Sequence, residues 1–73
     1  MTYQVALFCQ YFNHELAWGD RRLRPVIRRS VRRLSPDIDD RELRTYTDAL
    51  YATMTTENGA LRPDWRQRVE ENH

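Results

Sequence analysis

The chain has 73 residues, with 12 basic and 11 acidic side chains, one cysteine and a formal net charge of +1. A chain this short forms one domain, 1–73, and buries only about 60 to 65% of the surface its unfolded form exposes, so the core is small. One cysteine excludes an internal disulfide and a multi-cysteine zinc site, and the apolar opening lacks both a basic leader and the length to cross a bilayer, so a soluble protein of a reducing cytoplasm is expected.

Every one of the 12 basic residues is arginine. Codon bias in a GC-rich genome would give the same result, but arginine also presents a planar fork of donors that grips phosphate or carboxylate in two-pronged fashion. The small net charge hides a polarised layout: residues 1–20 carry −2, residues 21–34 carry +7, residues 35–59 carry −4 and residues 60–73 are neutral. Basic and acidic segments therefore meet different partners or each other.

Residues 2–18, TYQVALFCQYFNHELAW, hold most of the aromatic mass. As a helix they place Val5, Phe8, Cys9, Phe12 and Leu16 on one strip, read as core, and Leu7, Tyr11 and Trp18 on a second strip, read as a contact for a partner. Gly19 is a natural stop. Tyr3, Val5, Leu7, Cys9 and Tyr11 also alternate with period two, so a strand over 3–11 is the rival reading. Cys9 and His14 do not share a helix face and no second ligand pair follows, so Cys9 is read as a small buried hydrophobe, His14 as a surface residue, and no metal is expected.

Residues 21–34, RRLRPVIRRSVRRL, contain seven arginines and no acid. With about 100° per residue and Leu23 at zero, Val26, Ile27, Ser30, Val31 and Leu34 fall between about −60° and +80°, and the arginines fill the remainder. Proline suits the start of a helix, which predicts Arg24 as the cap and Pro25 as the first helical residue, and Ser35-Pro36 ends it. Seven like charges at helical spacing repel one another, so an anionic surface on this face relieves a cost that water alone does not.

Asp39 with Glu42 three residues on is an aspartate variant of the capping box, opening a third helix on the positive end of its dipole. Leu43, Tyr46, Thr47, Leu50, Tyr51 and Met54 form its core stripe, predicted to pack on the apolar side of residues 25–34, with acids at its start near the arginines. Asn58-Gly59 reads as its stop, or as a hairpin turn that would give a strand at 3–11 a neighbour. The last segment, ALRPDWRQRVEENH, predicts a short helix from Pro63 or Asp64, clipped to the body by Leu61, Trp65 and Val69 and frayed beyond Val69 because Glu70 and Glu71 oppose the dipole. The expected fold is an all-α bundle of three to four short helices, with α+β as the alternative.

The sequence has no glycine-rich phosphate loop and no nucleophile with a matched histidine, so neither an enzyme nor a cofactor is expected. A helix-turn-helix is disfavoured, because the helix after Ser35-Pro36 is acidic and phosphate would repel it. Binding remains. Arg21, Arg22, Arg24, Arg28, Arg29, Arg32 and Arg33 are the candidate residues for an anionic partner, either nucleic acid met directly or the acidic surface of a larger machine on which a monomer docks.

The opening MTYQVALFCQYFNHELAWGDRRLRP, the arginine block and the close RPDWRQRVEENH together resemble the small RNA-polymerase-binding transcription regulators of lytic Xanthomonas phages, over the full chain. The resemblance implies a protein that binds host RNA polymerase near the RNA exit channel, through the β′ N-terminal region and the β flap. It also implies inhibition of initiation and antitermination at intrinsic terminators, with the nascent RNA passing nearby. It carries no residue-level motif, so the site residues rest on the helical wheel.

Overall fold

Four helices, α1 (Tyr3–Trp18), α2 (Leu23–Leu34), α3 (Asp40–Met54) and α4 (Trp65–Asn72), make up the computed structural model, which describes residues 2–18 and 22–72. No named strand occurs among the described residues, and the strand reading of 3–11 is overturned. The reason lies in burial. The interior takes Val5, Phe8, Cys9 and Phe12, which a helix gathers on one side, whereas a strand would put Phe8 and Phe12 opposite Val5 and Cys9. Thr2 Oγ1 accepts from the Val5 amide at 3.2 Å and caps the start. Gly19, read as the stop of this helix, lies outside the described residues.

Helix α2 is the middle of the structure. It packs against both α1 and α3, whose backbones do not approach each other closely, while α4 lies on α3 and reaches α1. Val26, Ile27 and Ser30 are fully buried, as the wheel predicts for that side. Ser30 turns its hydroxyl back to the Val26 carbonyl at 2.8 Å, so a polar side chain sits in the core with its donor satisfied. The start differs from expectation by two residues: Arg22, not Arg24, is the cap, with an extended backbone at φ −72 and ψ 126, and Pro25 stands third in the helix. Proline is tolerated there because the amides of a first turn have no acceptor within the helix.

The end of α2 at Leu34 and the Asp39 cap of α3 fall where expected; Asp39 Oδ1 accepts from the Glu42 amide at 2.8 Å. Leu43, Thr47, Leu50 and Met54 are the buried stripe of α3, but Tyr46 is half exposed because α1 does not come across to cover it. The helix also stops at Met54, ahead of Asn58-Gly59. Arg62 explains this: its amide bonds the Met54 carbonyl at 2.9 Å and its Nε the Thr55 carbonyl at 3.1 Å, meeting acceptors that a further helical turn would have used. Asn58-Gly59 then closes a tight loop, with a single bridge between Thr55 and Leu61 and Gly59 at φ 81.

Trp65 lies tilted against Phe12 at 4.9 Å between ring centroids, and Val69 is buried, so α4 is clipped on as predicted. It continues through Asn72 rather than ending at Val69. Arg66 pairs with Glu70, Gln67 bonds Glu71, and Asn72 Nδ2 donates to the Arg68 carbonyl at 2.8 Å, which together offset the unfavourable dipole.

Two outcomes follow from this packing. Ile27→Ala should lower unfolding free energy by about 2–5 kcal/mol in urea titration, a large part of what a domain this small holds, whereas Ser30→Ala should stay within about 1 kcal/mol. Burial pushes the Cys9 thiol above its ordinary 9.0, with Arg66 pulling the other way and Glu70 adding to the rise. A raised thiol stabilises the fold fully below pH 9.0, and that contribution is lost as pH climbs through the raised value. Folded protein should accordingly react with a thiol reagent at neutral pH at least about a hundredfold more slowly than urea-unfolded protein.

Candidate functional site: the arginine face of the second helix

Helix α2 contributes five arginines, and its two neighbours divide them. Contacts pair α1 and α2 in reverse order, with Arg29 at Glu15 and Arg33 at Tyr11, so the two helices are antiparallel; Arg24 at Asp48 and Arg32 at Asp40 show the same for α2 and α3. One flank therefore faces α1 and the other faces α3.

On the α1 side, Glu15 receives two arginines: Arg29 Nε at 3.2 Å and Arg33 Nη1 at 3.3 Å. The Glu15 side chain keeps only 19% of its exposure, so these bonds are better shielded than ordinary surface pairs. Arg33 also lies 4.5 Å over the Tyr11 ring and 3.2 Å from His14 Nδ1, and His14 is tilted against Trp18 at 6.4 Å between centroids. The Nη2 group of Arg29 is covered and has no acceptor among the described residues. On the α3 side, Arg24 pairs with Asp48 and lies 4.8 Å over Tyr51, and Arg32 reaches Asp40 at 3.3 Å. Arg28 is exposed and has no hydrogen-bond or ion-pair partner among the described residues.

The expectation of a wholly unengaged arginine face needs correcting. Four of the five guanidinium groups are held by the chain's own carboxylates, because repulsion along α2 is relieved from within as well as from without. Neutralisation is incomplete, however. Among the described residues the five arginines meet three carboxylates, Glu15, Asp40 and Asp48, and two positive charges remain over, centred on Arg28 and on the doubly loaded Glu15. The arginines of these pairs keep 41 to 51% of their side-chain exposure, so they are open to an arriving anion.

Of the remaining candidates, Arg22 is exposed at the cap of α2, and Arg21 lies outside the described residues. Leu7 and Tyr11 are half-buried and Trp18 is 81% exposed, so the second strip of α1 is a surface feature mainly at its C-terminal end. Sequence reasoning missed Glu15 and Asp48, whose importance appears only when antiparallel neighbours bring them within reach of α2. The signal present was that Glu15 is the only acid on α1. Among the described residues no group of three or more histidines, cysteines and acids is placed to hold a metal, and no helix is long and apolar enough to cross a membrane.

Compared with protein families, curated proteins and solved structures, the chain gives no match.

Because one carboxylate restrains two arginines, Glu15→Gln should tighten binding of an unstructured single-stranded oligonucleotide by at least about threefold in low-salt fluorescence anisotropy, while lowering stability by about 1 kcal/mol. Unchanged or weaker binding would mean that the α1 flank takes no part in holding an anion.

Proposed function

We propose that the chain is a regulator of host transcription that docks on bacterial RNA polymerase near the RNA exit channel, inhibits initiation and promotes read-through of intrinsic terminators. The full-length resemblance to phage regulators of this kind names the machine. The observation that carries the mechanism is the positive surplus on α2, with Arg28 at its centre and without an ion-pair partner among the described residues, displayed by a helix that is fixed on both sides by the core. Such a helix presents guanidinium groups to phosphate or carboxylate without needing to fold on arrival, which lowers the ordering cost of binding.

The body is small, with principal extents of 30 × 26 × 23 Å. A wedge of this kind seated in a channel carrying RNA denies a terminator hairpin the width it needs to form, and its arginines face a strand that is itself anionic. Restricting the same channel region interferes with the rearrangements of initiation. Each step requires binding and exclusion only.

A second reading, direct binding to single-stranded nucleic acid without a protein platform, is favoured by one observation. Tyr11, His14 and Trp18 form an aromatic row along α1 beside Arg33, the combination of rings and cations on which unpaired bases stack. Salt separates the two readings, because direct binding weakens steeply as salt rises, while docking that also buries the apolar strip of Leu7, Tyr11 and Trp18 on polymerase loses only its arginine contribution.

Arg28→Glu is the sharpest variant because it breaks no internal pair. In transcription with purified host polymerase, it should reduce terminator read-through by at least about fivefold, with helicity by circular dichroism unchanged. The triple reversal of Arg28, Arg29 and Arg32 to glutamate should abolish read-through. Wild-type read-through in the single variant would overturn the role given to α2.

A further inference from the structure

The apolar interior reaches the surface at one face of the fold. The backbones of α1 and α3 flank α2 at a distance from each other, and between them lies a groove of about 460 Å³. Of the eleven buried apolar side chains, seven keep 1% or less of their surface, while Val5, Phe8, Val31 and Leu50 keep 4 to 7%. All four of those line the groove. The half-exposed ring of Tyr46 and the half-buried Ile38 extend the apolar surface outward.

The charge around this opening is opposite to that of α2. Among the described residues Glu42 is the only charged one lining the groove, and a more open depression beside it, which shares Glu42 and Tyr46, adds Asp39 and Arg41. Residues 37–42 hold four acids against one arginine. Asp40 is engaged by Arg32, whereas Asp37 and Glu42 have no ion-pair partner among the described residues. Phosphate is repelled from such a rim, and an acidic protein segment is repelled equally. A second copy of the chain is a poor occupant as well, because its main basic segment, α2, has already buried its apolar side chains in its own core.

We propose that this groove is a docking site for a short amphipathic segment of a protein partner. The segment inserts one or two aliphatic side chains between α1 and α3, over Phe8 and Leu50, and lays lysine or arginine residues along Glu42 and Asp39. The mode is that of an apolar anchor in a preformed groove with charges at the rim fixing orientation. It stands on a different face from the α2 arginines and does not require the partner to be polymerase.

The test uses the full-length ¹⁵N-labelled chain and two synthetic peptides of about ten residues, with leucines at helical spacing and the other positions either all lysine or all glutamate. The leucine–lysine peptide should shift the amide signals of Phe8, Leu34, Ile38 and Tyr46 and bind at least about tenfold more tightly than the leucine–glutamate peptide. Glu42→Lys and Tyr46→Ala, both at exposed positions, should each weaken it by at least about fivefold while leaving oligonucleotide binding by α2 unchanged. Equal binding of the two peptides, absence of binding, shifts centred on Tyr11 and Glu15, or self-association of the free chain through the same amides would each overturn the proposal.

Discussion

The fold depends on burying one narrow side of a helix that is otherwise arginine. Val26, Ile27 and Ser30 lose all their exposure between α1 and α3, and α2 packs on both of those helices far more extensively than α4 does on α1. In a chain this short the apolar area available is limited, so α2 cannot shed these contacts and remain folded. The arginines are carried along by that constraint: once the apolar side is fixed inward, their guanidinium groups have nowhere to go but the two seams and the outer surface.

That placement sets an electrostatic problem which the neighbours solve only in part. Glu15 on one seam and Asp40 and Asp48 on the other draw in four guanidinium groups, and the rings of Tyr11 and Tyr51 give two of them a face to lie on. Such partly exposed pairs are individually weak, about 1 kcal/mol or less, so they order the side chains without locking them away. An approaching polyanion therefore meets a pre-arranged, incompletely neutralised surface rather than a bare row of charges.

Much of this was legible in the sequence. Pro36 and Asp39 mark the break between α2 and α3 because their chemistry is local, and the wheel of residues 23–34 sorts core from surface because a helix fixes its own periodicity. What could not be read depends on distance across the fold. Glu15 is 14 and 18 residues from the arginines it holds, and a single-helix argument has no means of joining them. The same limit explains Tyr46, which belongs to the apolar stripe of α3 by spacing but stays half exposed where no helix arrives to cover it. The early end of α3 likewise comes from Arg62, which returns to bond Met54 and Thr55 from beyond the turn.

The two faces are thus consequences of one arrangement, in which a central helix is covered on both flanks by helices whose backbones do not approach each other closely. One side shows surplus arginine charge, and the gap on another shows apolar surface edged by acids. The claim on which the functional account rests is that α2 keeps positive charge beyond what its own carboxylates cancel. The salt dependence of binding to an unstructured single-stranded oligonucleotide measures this directly. Two uncompensated charges predict a slope of about −1.4 in log association constant against log salt. A slope indistinguishable from zero would show a face that has neutralised itself, and would contradict the account.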